Sequence, residues 1–309
     1  MKTPQLTVLA SVYKGETYLE PYFEQLENQS LFPETEIVFV ANVPSAQEQS
    51  ALAAFRQRYP EQVQVIEVPR ESLGASWNRA WQAARAPLLA MWNIDDRRQP
   101  DSLERQVSAL NQNGWALSYG DYISVAAYGE EQGARRSTPH YNPAHFARAF
   151  AQGGAFWVLR KDLAARIGYF DEQFRTAADM DYSFRIAANR LPMGRVDGIL
   201  GYFTDAEQGL STREGGQEAA IERAVVQLRY GVFDKVQPGG QLAAKQFRLD
   251  HVQSFGEWQP VASLVPSYAS FLRWRKPLRA LGIIRRAVRS LLARLGLLNL
   301  LHGKLRREI

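Results

Sequence analysis

Two adjacent carboxylates, Asp95 and Asp96, follow a short apolar run, and Asn93 stands two residues before the first of them. Together they form a cluster of hard oxygen donors, the kind that Mg2+ and Mn2+ take alongside phosphate oxygens. The bland alternative is a helix cap or solvated turn ahead of Pro100. Other groups with chemistry to offer are few. The chain has no cysteine, which removes disulfides, thiolate metal sites and cysteine nucleophiles and suits a reducing cytosol. Of His140, His145, His251 and His302, only the first two lie close enough in sequence to share a metal, and no neighbouring acid completes a site. Structural roles are expected for all four. A phosphate-loop signature is absent.

The flanking sequence reads as alternating strands and helices. Leu6 to Val12 is a buried-type strand followed by the turn Tyr13-Lys14-Gly15-Glu16, and residues 17–29 have helical spacing at Leu19, Tyr22, Phe23 and Leu26. Further strands are expected at 36–41, 63–68 and 88–92, with helices at 45–58, behind a Ser45 cap, and at 76–84. The fourth strand runs directly into Asn93-Ile94-Asp95-Asp96. Both acids should therefore lie beyond the carboxyl end of a parallel strand, where such sheets bind ligands. Helices over 101–111 and 179–189 and a short strand over 116–119 follow, and 205–216 reads as a mobile loop. Trp77, Trp81 and Trp92 are expected in the core, whereas Trp157, near Gly153-Gly154, is a candidate for stacking on an acceptor.

Leu88-Leu89-Ala90-Met91-Trp92-Asn93-Ile94-Asp95-Asp96, with Pro100, Leu103 and Gln106, resembles the segment of family 2 glycosyltransferases that carries their DxD-type metal motif. Gly74-Ala75-Ser76-Trp77-Asn78-Arg79-Ala80 is similar to the stretch those enzymes place before it. Leu6 to Tyr13, with Tyr18-Leu19 and Asn28-Gln29-Ser30, is similar to their first strand and helix. Gly168-Tyr169-Phe170-Asp171-Glu172, followed by Ala178-Asp179-Met180-Asp181 and Arg185, is similar to their Gly-Phe-Asp-Glu and Glu-Asp elements. The matches fall in order over roughly residues 5 to 215.

The resemblance implies a GT-A fold, an α/β architecture with a Rossmann-like, mostly parallel sheet flanked by helices, over residues 1–225. It implies an inverting transfer of a sugar from a nucleotide-sugar, a UDP-sugar being favoured, to an acceptor hydroxyl. Carried onto this chain, Asp95 is the ligand of Mg2+ or Mn2+, and Asn93 and Asp96 contact the donor or the metal. Val12, Tyr13, Asn42, Gly74 and Asn78 line the donor site. Asp179 matches the base that takes the acceptor proton; an ordinary aspartate titrates near ~4 and is ionised at neutral pH. Its bland alternative is the start of a helix, where the dipole favours a carboxylate.

The chain departs from the family pattern at four places. Asn93 stands where Asp is usual, Ala178 replaces the Glu before the base, and Ala41-Asn42-Val43-Pro44-Ser45 replaces the usual Asp-Asp-Gly-Ser. Glu207 to Ser211 carries no His. A catalytically inactive relative that binds nucleotide-sugar or glycan, and a nucleotidyltransferase, are the competing readings.

Net charge is +5, but Phe271 to Ile309 holds eleven Lys/Arg and one acid, leaving residues 1–270 at −5. From Arg279 to Leu301, Leu281, Ile284, Val288, Leu291, Leu295 and Leu298 share one helical face, with Arg279, Arg286 and Arg289 on the other side. Such a helix lies in a membrane interface and is drawn to anionic lipid. Residues 226–309 are accordingly expected as a C-terminal helical, membrane-associating extension, with contact through 272–309. Docking on the catalytic domain or on another subunit is the alternative, and nucleic acid is not an expected partner. No apolar run reaches 18 residues, and the start is too short for a signal peptide. The expectation is a cytoplasmic protein, peripheral on the inner face of a membrane, with a glycan or lipid-linked acceptor.

Overall fold

The computed structural model of the chain describes residues 3–143, 154–205, 217–232 and 244–269, with 287, 288, 290 and 291 beyond them. Among these residues no helix is long and apolar enough to cross a membrane.

The first half alternates strand and helix as its hydrophobic pattern dictates: β1 (Leu6–Val12), α1 (Leu19–Glu27), β2 (Thr35–Asn42), α2 (Ala46–Arg58), β3 (Val63–Val68), α3 (Leu73–Ala83) and β4 (Leu88–Met91). The second half holds β5 (Arg97–Arg98), α4 (Ser102–Asn113), β6 (Leu117–Val125), β7 (Ala134–Arg136), β8 (Val158–Arg160), α5 (Leu163–Ile167), α6 (Ala178–Ala188) and β9 (Met193–Thr204). There follow α7 (Gln217–Arg229), β10 (His251–Ser254), β11 (Glu257–Pro260) and α8 (Val261–Leu264).

One sheet carries the order β3-β2-β1-β4-β8-β6-β9-β5, with β7 added to β6. Strands β3, β2, β1 and β4 are parallel, and so are β6 and β9. Between these halves β8 runs antiparallel to both neighbours. Side-chain alternation divides the interior in two. Leu6, Val8, Ala10 and Val12 cluster with Leu19, Tyr22, Phe23 and Phe55 of α1 and α2. Leu9, Val38, Val40 and Met91 cluster instead with Trp77 and Trp81 of α3 and with α6 and α7.

Serine caps set two helix starts. Ser45 accepts from the Glu48 amide while Glu48 accepts from the Ser45 amide, a reciprocal capping box at α2. Ser72 caps α3 through the Ala75 amide, so this helix begins three residues before the expected Ser76.

The boundary expected at 225/226 falls inside α7. Beyond it, Arg229 is buried against Asp171 and Asp181. The described part of the extension is also not purely helical. Phe255 and Gly256 both take positive φ (52° and 80°), the geometry of a tight hairpin turn, and join β10 to β11. Val252, Val261, Leu264, Val265 and Tyr268 form a small cluster of their own there. The basic stripe of 279–301, save for the four residues near 290, and the loop expected at 205–216, save for Asp205, lie outside the described residues.

Candidate active site

The acids sit where the strand pattern places them. β4 ends at Met91, Trp92 continues its ladder to the Leu9 carbonyl (3.3 Å), and Asn93 opens a turn closed by the Asp96 amide on its own carbonyl (3.1 Å). Asp96 is buried. Its Oδ1 accepts from the Thr204 amide at the end of β9 (3.3 Å) and its Oδ2 from the Asn93 amide group (3.5 Å). Burial pushes its carboxyl well above the ordinary range, and the Asp95 charge beside it adds to the rise. Burial raises Asp95 as well. Two acids sharing one dry turn cost free energy as anions, which a cation between them would offset.

The residues present fit a hard cation. Asn93 Oδ1 and Thr204 Oγ1 are buried atoms with no hydrogen-bond partner, and both flank Asp96. With the two carboxylates they make an all-oxygen donor set suited to Mg2+ or Mn2+. No cluster of three or more His, Cys, Asp or Glu able to hold a metal occurs among the described residues, so any coordination here would lean on an amide, a hydroxyl or the substrate's phosphates.

Beneath the turn lies Arg98, which the sequence did not single out. Its guanidinium donates to Gln106 Oε1 (2.7 Å) and the Met91 carbonyl (2.9 Å) and lies over the rings of Trp92 and Phe156. Burial lowers it to about 9, with Tyr22 and Asp96 acting the other way. Tyr22 donates to the Trp92 carbonyl (3.0 Å), and the nearby Tyr128 hydroxyl is pushed up to about 12, chiefly by burial.

Asp179 occupies the first turn of α6. Its Oδ1 accepts from the Met180 amide (2.7 Å) and its Oδ2 from the Gly154 amide (3.2 Å). Gly154 opens a 3-10 turn (Gly154–Phe156) leading into β8, and three residues on, the Trp157 carbonyl accepts from Met91, the last residue of β4 (3.0 Å). Because β8 is antiparallel to β4, its start lies beside the end of β4. That path brings Asp95, Asp96 and Asp179 to one end of two neighbouring strands. Tyr122 of β6 reads the same arrangement: burial raises its hydroxyl, Arg136 opposes the rise, and Asp96, Asp179 and Asp205 all add to it. Asp179 is itself raised by burial, against the pull of its backbone hydrogen bonds.

The other expected donor contacts divide by exposure. Tyr13 is 41% exposed, with the Arg70 guanidinium 3.6 Å above its ring. Beside it Val43, 63% exposed, takes φ +47°, a strained value for a β-branched residue. Val12, Asn42 and Asn78 are buried. The Asn42 amide donates to Ser11 and Ser76 hydroxyls and accepts from the Glu71 amide (3.0 Å), fixing the ledge at the ends of β1, β2 and β3 from behind. Asn78 exchanges two hydrogen bonds with the Phe170 backbone (2.9 Å each) and donates to Glu172 (2.9 Å). It staples α3 to the loop before α6. Gly74 lets the start of α6 close in, since a Cβ there would stand 3.3 Å from the Ala178 Cβ.

Trp157 corrects its expectation. It is wholly buried in the core and offers no stacking surface, because Phe156 to Leu159 is drawn into the sheet. His140 approaches Arg195 (3.4 Å) and His251 lies in β10, so neither meets a metal ligand; His145 and His302 lie outside the described residues.

A Rossmann-like sheet with acids beyond β4 and a further acid at the start of a helix across the seam is the architecture of GT-A glycosyltransferases. The model of glycosyl transferase family 2 matches residues 7–168, more than half of the chain, and the protein belongs to that family. In sequence it is similar to EpsH of Bacillus subtilis (strain 168), provisionally assigned as a glycosyltransferase, at 33% identity over 107 residues. That match spans 35% of this chain and 30% of the relative. In structure it is similar to S. aureus TarS 1-349 in complex with UDP-GlcNAc, with a TM-score of 0.59 and 16% identity over 90% of this chain and 89% of that one. The mannosyltransferase PcManGT from Pyrobaculum calidifontis, in complex with GDP-Man and Mn2+, gives 0.53 and 15% over 97% and 81%. At such identities the likeness shows the fold.

Proposed function

We propose that this glycosyltransferase inverts configuration, depends on a divalent metal, and passes a sugar from a nucleotide-sugar to a glycan, lipid-linked, in surface polysaccharide synthesis at the inner face of the membrane. The observation that carries the reading is that the turn bearing Asp95 and Asp96 follows β4 while Gly154, which holds Asp179, leads into the neighbouring β8, so all three acids belong to one sheet end. Bound Mg2+ or Mn2+ would supply positive charge to a departing nucleoside diphosphate. Asp95 and Asp96 would hold it with Asn93, whose Oδ1 lacks a partner. Asp179, raised by its dry setting yet braced by two amides, would accept the acceptor's proton as its oxygen attacks the anomeric carbon in line.

Tyr13, Val43 and Arg70 supply an exposed aromatic, apolar and cationic ledge for the nucleotide. The UDP complexes of TarS make a UDP-sugar the favoured donor, and the GDP-Man complex of PcManGT supplies the competing one. For the membrane reading, Val288 and Leu291 of the apolar stripe are 49% and 58% exposed, whereas docking on the catalytic domain would cover them.

A panel of nucleotide-sugars with Mn2+ or Mg2+, assayed for released nucleoside diphosphate, tests the proposal. One donor should turn over in a metal-dependent way. Release of pyrophosphate would point to nucleotidyl transfer, and silence with every donor would leave a binding module.

A further inference from the structure

Helix α6 begins without a cap of its own. Ala177 stands at its N-cap and offers no side-chain hydrogen bond, although the first turn bears Asp179. The missing partner comes from α7, 45 residues beyond Ala177 in sequence. Glu222 of α7, 1% exposed, accepts from the Arg175 amide through Oε1 (2.9 Å). Its Oε2 accepts from the Thr176 amide (2.7 Å), the Thr176 hydroxyl (2.8 Å) and the Ala177 amide (3.0 Å). Three amides and one hydroxyl thus converge on the two oxygens of this side chain, the acceptor pattern a carboxylate offers.

We infer that Glu222, reaching across from α7, is a positioning residue that fixes the start of α6 and sets the electrostatic setting in which Asp179 takes its proton. This rests on the reading of Asp179 as the base. Two effects act in one direction. The Glu222 charge repels a second charge on Asp179, and it neutralises the positive end of the α6 dipole that would otherwise favour that charge. Glu222 accordingly raises Asp179 beyond what burial does.

The remaining charges around this end of α6 do not cancel it. Arg175 turns its guanidinium outward to Glu218 (3.1 Å), and Tyr122 faces the site from β6. Asp171, Asp181, Arg185 and Arg229 pair among themselves further along α6 and behind it.

The test uses the full chain as wild type, Glu222→Asp and Glu222→Gln. Carbon-13 NMR follows the Asp179 carboxyl, assigned by its loss in Asp179→Asn, and kcat/KM is followed against pH with the active donor. The Asp179 midpoint and the acid limb of the rate profile should both move to lower pH, slightly in Glu222→Asp and further in Glu222→Gln. The aspartate variant keeps the carboxylate but draws it back by one methylene from the start of α6, so it gives the sign even if the glutamine variant does not fold. Folded variants whose Asp179 midpoint stays at the wild-type position would overturn the inference. If Asp179→Asn turns over at near-native rate while the midpoints still shift, the base reading fails and the positioning role stands.

Discussion

Arg229 and Asp181 meet at 2.6 Å with neither side chain exposed to solvent. The same nitrogen reaches Asp171 at 2.8 Å, and the rest of the guanidinium donates to the carbonyls of Leu249 (2.9 Å) and His251 (2.8 Å). Arg185 takes the other oxygen of Asp181 (2.9 Å). Two carboxylates and two guanidinium groups thus lock α7 and the β10–β11 hairpin to α6. Arg229→Met would strand Asp171 and part of Asp181 in a dry interior, a loss of about 3–5 kcal/mol. Urea unfolding measures it; a change below about 1 kcal/mol would show that the cluster carries no such weight.

Gly154 packs against the candidate base with no room for a side chain. A Cβ there would lie 2.7 Å from the Asp179 Cβ and 2.8 Å from its Oδ2. Gly154→Ala should displace Asp179 and lower kcat by about a hundredfold, the scale of a misplacement near 1 Å. Circular dichroism should remain native. Unchanged kcat would detach Gly154 from the site.

The Asp95 proposal predicts a stability signature separate from turnover. Mn2+ at about 100 times its dissociation constant should stabilise the wild type by about 2.7 kcal/mol. Asp95→Ala should show no such gain in a thermal-shift titration, and its donor hydrolysis should fall at least about a hundredfold. Equal Mn2+ shifts in both proteins would place the metal elsewhere.

Asp121 gives a pH-dependent prediction. Burial opposes its ionisation, but hydrogen bonds from Arg195, Thr138 and Arg135 hold its carboxyl well below the ordinary range. A depressed folded value stabilises above the unfolded value of ~4, and that stability is lost as pH falls below it. The gap between wild type and Asp121→Asn should therefore be full near pH ~7 and narrow on acidification below ~4. Urea titrations at both ends decide, and a gap that widens in acid contradicts the assignment.

Removing residues 272–309 should abolish binding to vesicles containing anionic phosphatidylserine or phosphatidylglycerol while donor hydrolysis persists. Undiminished vesicle binding by the shortened chain would end the interfacial-helix proposal.

The parallel half is legible because β1, β2 and β4 are rich in apolar residues and its helices announce themselves with Ser45 and Leu19-type spacing. Strand β9 is not. Gly194, Gly198 and Gly201 interrupt its pattern, and a register shift beside Asp121 breaks its alternation against β6. The glycines answer to neighbours remote in sequence: side chains at 194 and 201 would overlap the Trp115 ring and the Arg97 carbonyl. Strand β8, three residues long, is too short to signal itself, and the stacking candidate Trp157 that precedes it is drawn into the core with it. Asp95 and Asp179 are proposed from their local motifs, which the sequence carries on its face. Glu222, Arg98 and Arg229 are not, because each acts on a partner that only tertiary packing supplies.

Leu159 of β8 pairs with Leu89 on one side and Leu117 on the other, which makes this short strand a weld between the two halves of the sheet. Hydrogen-bonded along both edges, it joins the β3-β2-β1-β4 side to β6 and β9 as one surface, so the turn that carries Asp95 and the glycine that supports Asp179 are anchored to the same piece of sheet.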